Sequence, residues 1–99
     1  MGAKLQLIVN KIIPVLKKHQ VKRASVFGSF ARGESKKNSD IDILVEMPDS
    51  ASLFDLVGLK SDLEKKIKIT VDLLTYRSVH PLIKKNVKKD ELQIYAIRR

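Results

Sequence analysis

GSFARGESKKNSDIDILV, residues 28–45, is the stretch that decides the fold. Its end, Asp40-Ile41-Asp42-Ile43-Leu44-Val45, sets Ile41, Ile43 and Val45 at alternate positions. Ser39 with Asp42 three residues on also fits a capping box opening a helix. The β-branched content and the break at Met47-Pro48-Asp49 favour a strand over 40–45. On a strand, residues two apart share a face with Cα atoms about 6.5 Å apart. The carboxylates of Asp40 and Asp42 then come within about 4–5 Å, where like charges repel by about 3–4 kcal/mol at an effective dielectric near 20. A divalent cation offsets that repulsion, and sites with two such ions hold them about 3.5–4 Å apart. Taken alone, a D-x-D pair is more often a solvated strand end.

Working outward, Arg23–Phe27 (RASVF) reads as a strand running into a turn at Gly28-Ser29, with 31–39 as a polar loop. A glycine lets backbone approach a phosphate closely, and a serine hydroxyl with free amides at a helix start binds phosphate oxygens. The plain reading is a turn with a serine cap. A phosphate cradle beside a paired-carboxylate strand is much more specific than either part. Asp72 adds a third acid inside an apolar strand predicted over 68–75. A carboxylate buried there requires a partner: a Lys or Arg in an ion pair, or the same metal site, with Asp72 accepting the proton of an attacking hydroxyl.

The flanks supply the rest of the fold. Leu5, Ile8, Val9, Ile12 and Leu16 recur at helical spacing, and Pro14 is expected to kink or divide that helix. Ser52 caps a second helix whose predicted stripe is Leu53, Leu56, Val57, Lys60 (by its stem), Leu63 and Ile67. His80-Pro81 opens a basic helix to about Val87, and 92–96 (LQIYA) is a short strand or a helix end. Alternating elements of this kind predict an α/β (α+β) fold, a small mixed β-sheet with helices packed on it, as one domain over 1–99.

Composition limits the chemistry. Cysteine is absent and there are two histidines, so any metal sits on carboxylates, which favours Mg²⁺ or Mn²⁺. No apolar run reaches the roughly 20 residues of a membrane helix, and polar Asn10 and Lys11 interrupt any leader pattern. The expected location is the cytoplasm. A formal net charge of +9 points to an anionic partner, or only to solubility and growth at high temperature. His19 and His80 read as surface or capping residues near helix ends. Lys36 and Lys37 read as loop lysines that attract nucleotide or are simply solvated. Tyr76 and Tyr95 read as core-edge aromatics, too few to form a stacking platform for single strands.

Residues 28–42 match the Gly-Ser, ten residues, Asp-x-Asp pattern of nucleotidyltransferases of the DNA polymerase β superfamily, and Asp72 falls where that family places its third acid. The small size and the Ala31-Arg32-Gly33 continuation resemble the minimal nucleotidyltransferase (MNT) group, over residues 4 to about 96. The resemblance implies a palm-like sheet that binds Mg²⁺ with ATP or another NTP. Gly28 and Ser29 would hold the triphosphate, Asp40 and Asp42 two metal ions, and Asp72 would complete the triad. Arg32 would touch phosphate or a partner, or lie on the surface. MNT proteins are often antitoxins of HEPN-domain ribonucleases, and some add AMP to a toxin tyrosine. A HEPN toxin is therefore the partner the resemblance implies, and NMP transfer to its tyrosine the activity. Two other classes stay open: a non-catalytic module that binds toxin or RNA, and transfer to a small molecule. Nucleic acid is the less favoured partner.

Overall fold

The computed structural model describes residues 2–36, 38–79 and 89–97. Its elements are α1 (Ala3–Lys18), β1 (Arg23–Phe27), α2 (Gly28–Arg32), β2 (Ile41–Glu46), α3 (Leu53–Ile67), β3 (Val71–Thr75) and β4 (Leu92–Ala96). The basic helix expected from His80 to Val87 lies outside the described residues.

The strands form one mixed sheet in the order β3-β2-β1-β4. β1 runs antiparallel to β2 and β4, while β2 and β3 are parallel. A parallel pair needs a long crossover, and α3 provides it. Period-two alternation sends Ala24, Val26, Ile41, Ile43, Val45 and Val71 into one core with residues of α1 and α3. From α1 the core takes Leu5, Ile8, Val9, Ile12 and Leu16, the five positions the helical spacing picked out. Residues 92–96 are a strand.

Pro14 does not divide α1, which continues through it. The ring is on the exposed side, and the carbonyl that would have bonded its missing N–H belongs to exposed Asn10, where water can serve it. The segment after β1 is also different from expectation: residues 28–32 coil into a short helix closed by Gly33 at φ +74°, so the loop begins later. The helix alternative for 39–42 is absent. Ser39 Oγ accepts from the Lys36 backbone N–H at 2.7 Å, a local turn leading into β2. The strand β3 starts later than predicted, because Lys68 ends α3 at φ +58°.

The buried face of α3 is the predicted one only in part: Leu63 and Ile67 are buried and Leu56 packs against the core as expected, but Leu59 replaces Leu53 and Val57. Leu59 and Leu63 are fully buried and Ile67 nearly so, whereas Leu53 and Val57 are 74% and 58% exposed. The helix offers two apolar rows at helical spacing, 53/57 and 56/59/63/67, and only the second reaches α1 and the sheet. The capping box at Ser52 forms as expected, with Asp55 as its reciprocal partner. His19 is the C-cap of α1 and bonds Asp62 of α3 at 2.7 Å, which joins the two helices.

Candidate active site

Asp42 and Asp72 meet where β1, β2 and β3 come together at one end of the sheet. The β1–β2 register sets Phe27 opposite Asp42, so Gly28, the next residue, abuts the Asp42 side chain. Gly28 has φ +71°, and a Cβ built on it would lie 2.3 Å from Asp42 Oδ2. Both facts demand glycine: the conformation is left-handed, and the carboxylate fills the space a side chain would need. This role for Gly28, seating an acid, is additional to the phosphate approach read from the sequence.

On its other side Asp42 is in register with Asp72 across the parallel β2–β3 pair. Asp40 sits just before β2 and is exposed. Partial burial, the Asp72 charge, a shared proton with Asp72 and the Asp40 charge push the Asp42 carboxyl up to about 6, against the pull of Arg32. Two facing carboxylates short of positive charge are a donor set that suits a hard divalent cation. Among the described residues no Lys or Arg forms an ion pair with Asp42 or Asp72. Asp42 and Asp72 therefore fit a metal ion. No three His, Asp or Glu side chains among the described residues converge tightly enough to form a finished cage.

Asp72 itself is exposed on the edge strand. The premise that it is buried is thus corrected: its non-core face lies open to solvent, while Val71 before it points into the core. Ser29 is the second residue of α2, beside Gly28. Arg32 ends the same helix and bonds Glu34 Oε2 at 3.2 Å and Asp90 Oδ2 at 2.7 Å. Asp90 escaped the sequence reading, since nothing in its surroundings indicates a contact 58 residues away.

On the sheet face away from the helices, Tyr76 Oη lies 2.7 Å from the buried Ser25 hydroxyl and donates to Glu91 at 2.9 Å. The Arg23 guanidinium stacks 4.0 Å above its ring. Tyr76 is thus a bonded part of this face, and Tyr95 packs at the core edge.

A family model described as polymerase beta, nucleotidyltransferase matches residues 10–99. The chain belongs to the polymerase β nucleotidyltransferase family. A candidate protein adenylyltransferase from Methanocaldococcus jannaschii is 54% identical over 87 residues, covering 88% of this chain and 94% of the relative. A solved toxin–antitoxin structure with AMP-PNP is 28% identical with a TM-score of 0.78, over 91% of this nucleotidyltransferase and 74% of that chain. The solved complex of a tri-AMPylated HEPN toxin with its MNT antitoxin, from Shewanella oneidensis, gives 26% identity and a TM-score of 0.72. It covers 93% of this chain and 72% of that one. Among the described residues of this nucleotidyltransferase no helix is long and apolar enough to cross a membrane.

Proposed function

We propose that residues 1–99 form a single minimal nucleotidyltransferase domain that moves AMP from ATP to a hydroxyl of a partner protein, a tyrosine of a HEPN-type toxin, and so acts as a cytoplasmic antitoxin. The observation that carries the reading is the seat of Asp42, held against Gly28 on one side and facing Asp72 on the other. Relatives that bear the protein adenylyltransferase description, and solved toxin–antitoxin complexes with AMP-PNP or an AMPylated toxin, support the nucleotide and the partner.

Asp42 and Asp72 would hold a divalent ion, Mg²⁺ or Mn²⁺, with Asp40 adding charge and room for a second. When bound, such ions neutralise charge on the α-phosphate and on the departing pyrophosphate. Gly28 and Ser29 bring backbone and hydroxyl to the triphosphate, and Arg32 offers a guanidinium beside it. Asp72 accepts the proton as the acceptor oxygen bonds to the α-phosphorus and the bond to pyrophosphate breaks. Exposure of Asp72 on an edge strand suits an acceptor delivered on another protein.

The test is label transfer from α-labelled ATP, with Mg²⁺, to a co-expressed toxin or into host lysate. A protein band labelled by wild type, not by the Asp40→Asn or Asp42→Asn variants and not from γ-labelled ATP, is the expected result. Pyrophosphate release without a labelled protein would overturn the protein acceptor and leave a small molecule in its place. Absence of both would overturn the activity.

A further inference from the structure

One guanidinium ties the loop of the motif to the C-terminal part of the chain. Arg32 donates from Nη1 to Asp90 at 2.7 Å and from Nε to Glu34 at 3.2 Å. The two partners are unequal. The Asp90 side chain is 22% exposed and the Glu34 side chain 67%. The longer, solvent-screened contact to Glu34 therefore contributes little, and Asp90 provides most of the restraint. Asp90 lies two residues before β4, whose first residue, Leu92, pairs with Val26 at the end of β1. That places it beside the turn from β1 into α2.

A guanidinium presents five N–H donors in a rigid plane. With Nε and Nη1 gripped by two carboxylates, the plane is set. The Nη2 edge hydrogen-bonds no described residue. Arg32 ends the helix that Gly28 begins, and Gly28 abuts the Asp42 carboxylate. An unrestrained arginine gives up rotamer freedom when a ligand fixes it. A pre-gripped one has given up much of that beforehand.

We propose that Asp90 is a positioning residue of this nucleotidyltransferase. It holds the Arg32 guanidinium with its open edge turned to the oxygens of the bound triphosphate. The inference rests on the reading of Arg32 as a nucleotide contact. A purely structural role, in which the pair only staples β4 to α2, predicts different behaviour.

The experiment measures AMP-PNP binding with Mg²⁺ by calorimetry, KM and kcat for ATP, and thermal melting without nucleotide. Asp90→Asn is expected to weaken AMP-PNP binding and raise KM about tenfold. Its kcat should stay within about threefold of wild type, and its melting temperature within about 2 °C. Asp90→Glu should restore most of the affinity. Adding Asp90→Asn to Arg32→Ala should weaken binding no further than Arg32→Ala alone, because both remove one unit. Wild-type affinity in Asp90→Asn overturns the proposal, as do additive losses in the double variant. So does weakened binding that comes with a matching fall in melting temperature. If Asp90→Asn does not fold, Arg32→Lys replaces it: the charge is kept and the two-sided grip is lost. Nucleotide binding by Arg32→Lys equal to wild type then refutes the role. Failure of the wild type itself to bind AMP-PNP with Mg²⁺ would remove the proposed function as well, whereas an effect missing only in the variants removes this inference alone.

Discussion

Replacing Asp42 by Asn should make the metal-free protein more stable while it abolishes transfer. In the folded chain the Asp42 carboxyl is raised from 3.8 to about 6, chiefly by burial and by the facing Asp72 charge. At about 1.4 kcal/mol per pKa unit, the ionised form is disfavoured by about 3 kcal/mol at most. Part of the group faces solvent, which screens it, so about 1–2 kcal/mol is the usable figure. The sign follows from proton binding. Between pH 4 and 6 the folded state holds a proton that the unfolded state has released, so stability falls as pH rises through this window and stays low above it. Asparagine is close in shape, carries no charge and can donate to Asp72.

Urea unfolding in EDTA reads the effect. Wild type should lose about 1–2 kcal/mol between pH 4.5 and pH 7.5 relative to Asp42→Asn, and at pH 7.5 the variant should be the more stable by that amount. Mg²⁺ at several times its Kd should raise wild-type stability and close the gap, with no effect on the variant. Transfer should fall by about 100-fold or more. A variant less stable than wild type at pH 7.5 in EDTA would refute the reasoning. So would a wild type whose stability ignores both pH and Mg²⁺, because the pair would then be neither strained nor a cation site.

Gly28→Ala should destabilise by about 2–3 kcal/mol or displace Asp42, since the added methyl meets Oδ2 at 2.3 Å in a left-handed backbone. Gly2→Ala, where the same methyl meets nothing within 4 Å, should leave both melting and activity unchanged. Leu59→Ala should lose about 3 kcal/mol in denaturant unfolding and Val57→Ala under about 0.5, which separates the two apolar rows of α3. Tyr76→Phe should lose about 1–2 kcal/mol, because the fully buried Ser25 hydroxyl is left without that partner. The bond to His19 holds the Asp62 carboxyl below its usual range. Asp62→Asn should therefore melt earlier than wild type near pH 6, with the difference vanishing as acid takes the pH below that depressed value.

Much of this architecture could be read from the chain because it is periodic and local. The alternation through Ile41, Ile43 and Val45 identified β2, and the spacing of Leu5 to Leu16 identified the buried side of α1. The errors came where one segment supports two patterns or where the decision is made far away. The helix α3 carries two apolar rows, and only contact with α1 and the sheet chooses between them. Exposure of Asp72 depends on β3 being an edge strand, which no feature within 71–75 encodes. The Arg32–Asp90 bond joins residues that become neighbours only after β4 pairs with β1.

The motif spacing is the intermediate case, and it has a mechanical cause. A glycine and an aspartate 14 positions apart look like two independent requirements of a nucleotide site. The antiparallel register makes them one: Phe27 pairs with Asp42, so the residue after Phe27 turns over the Asp42 carboxylate. A shift of the β1–β2 register by one residue would move Asp42 to the core face and bring Ile41 or Ile43 under the turn. The spacing therefore records a strand register, and through it the position of a carboxylate. It follows that the loop over 34–39 can vary in composition so long as the register holds, whereas any side chain at position 28 must displace the Asp42 carboxylate.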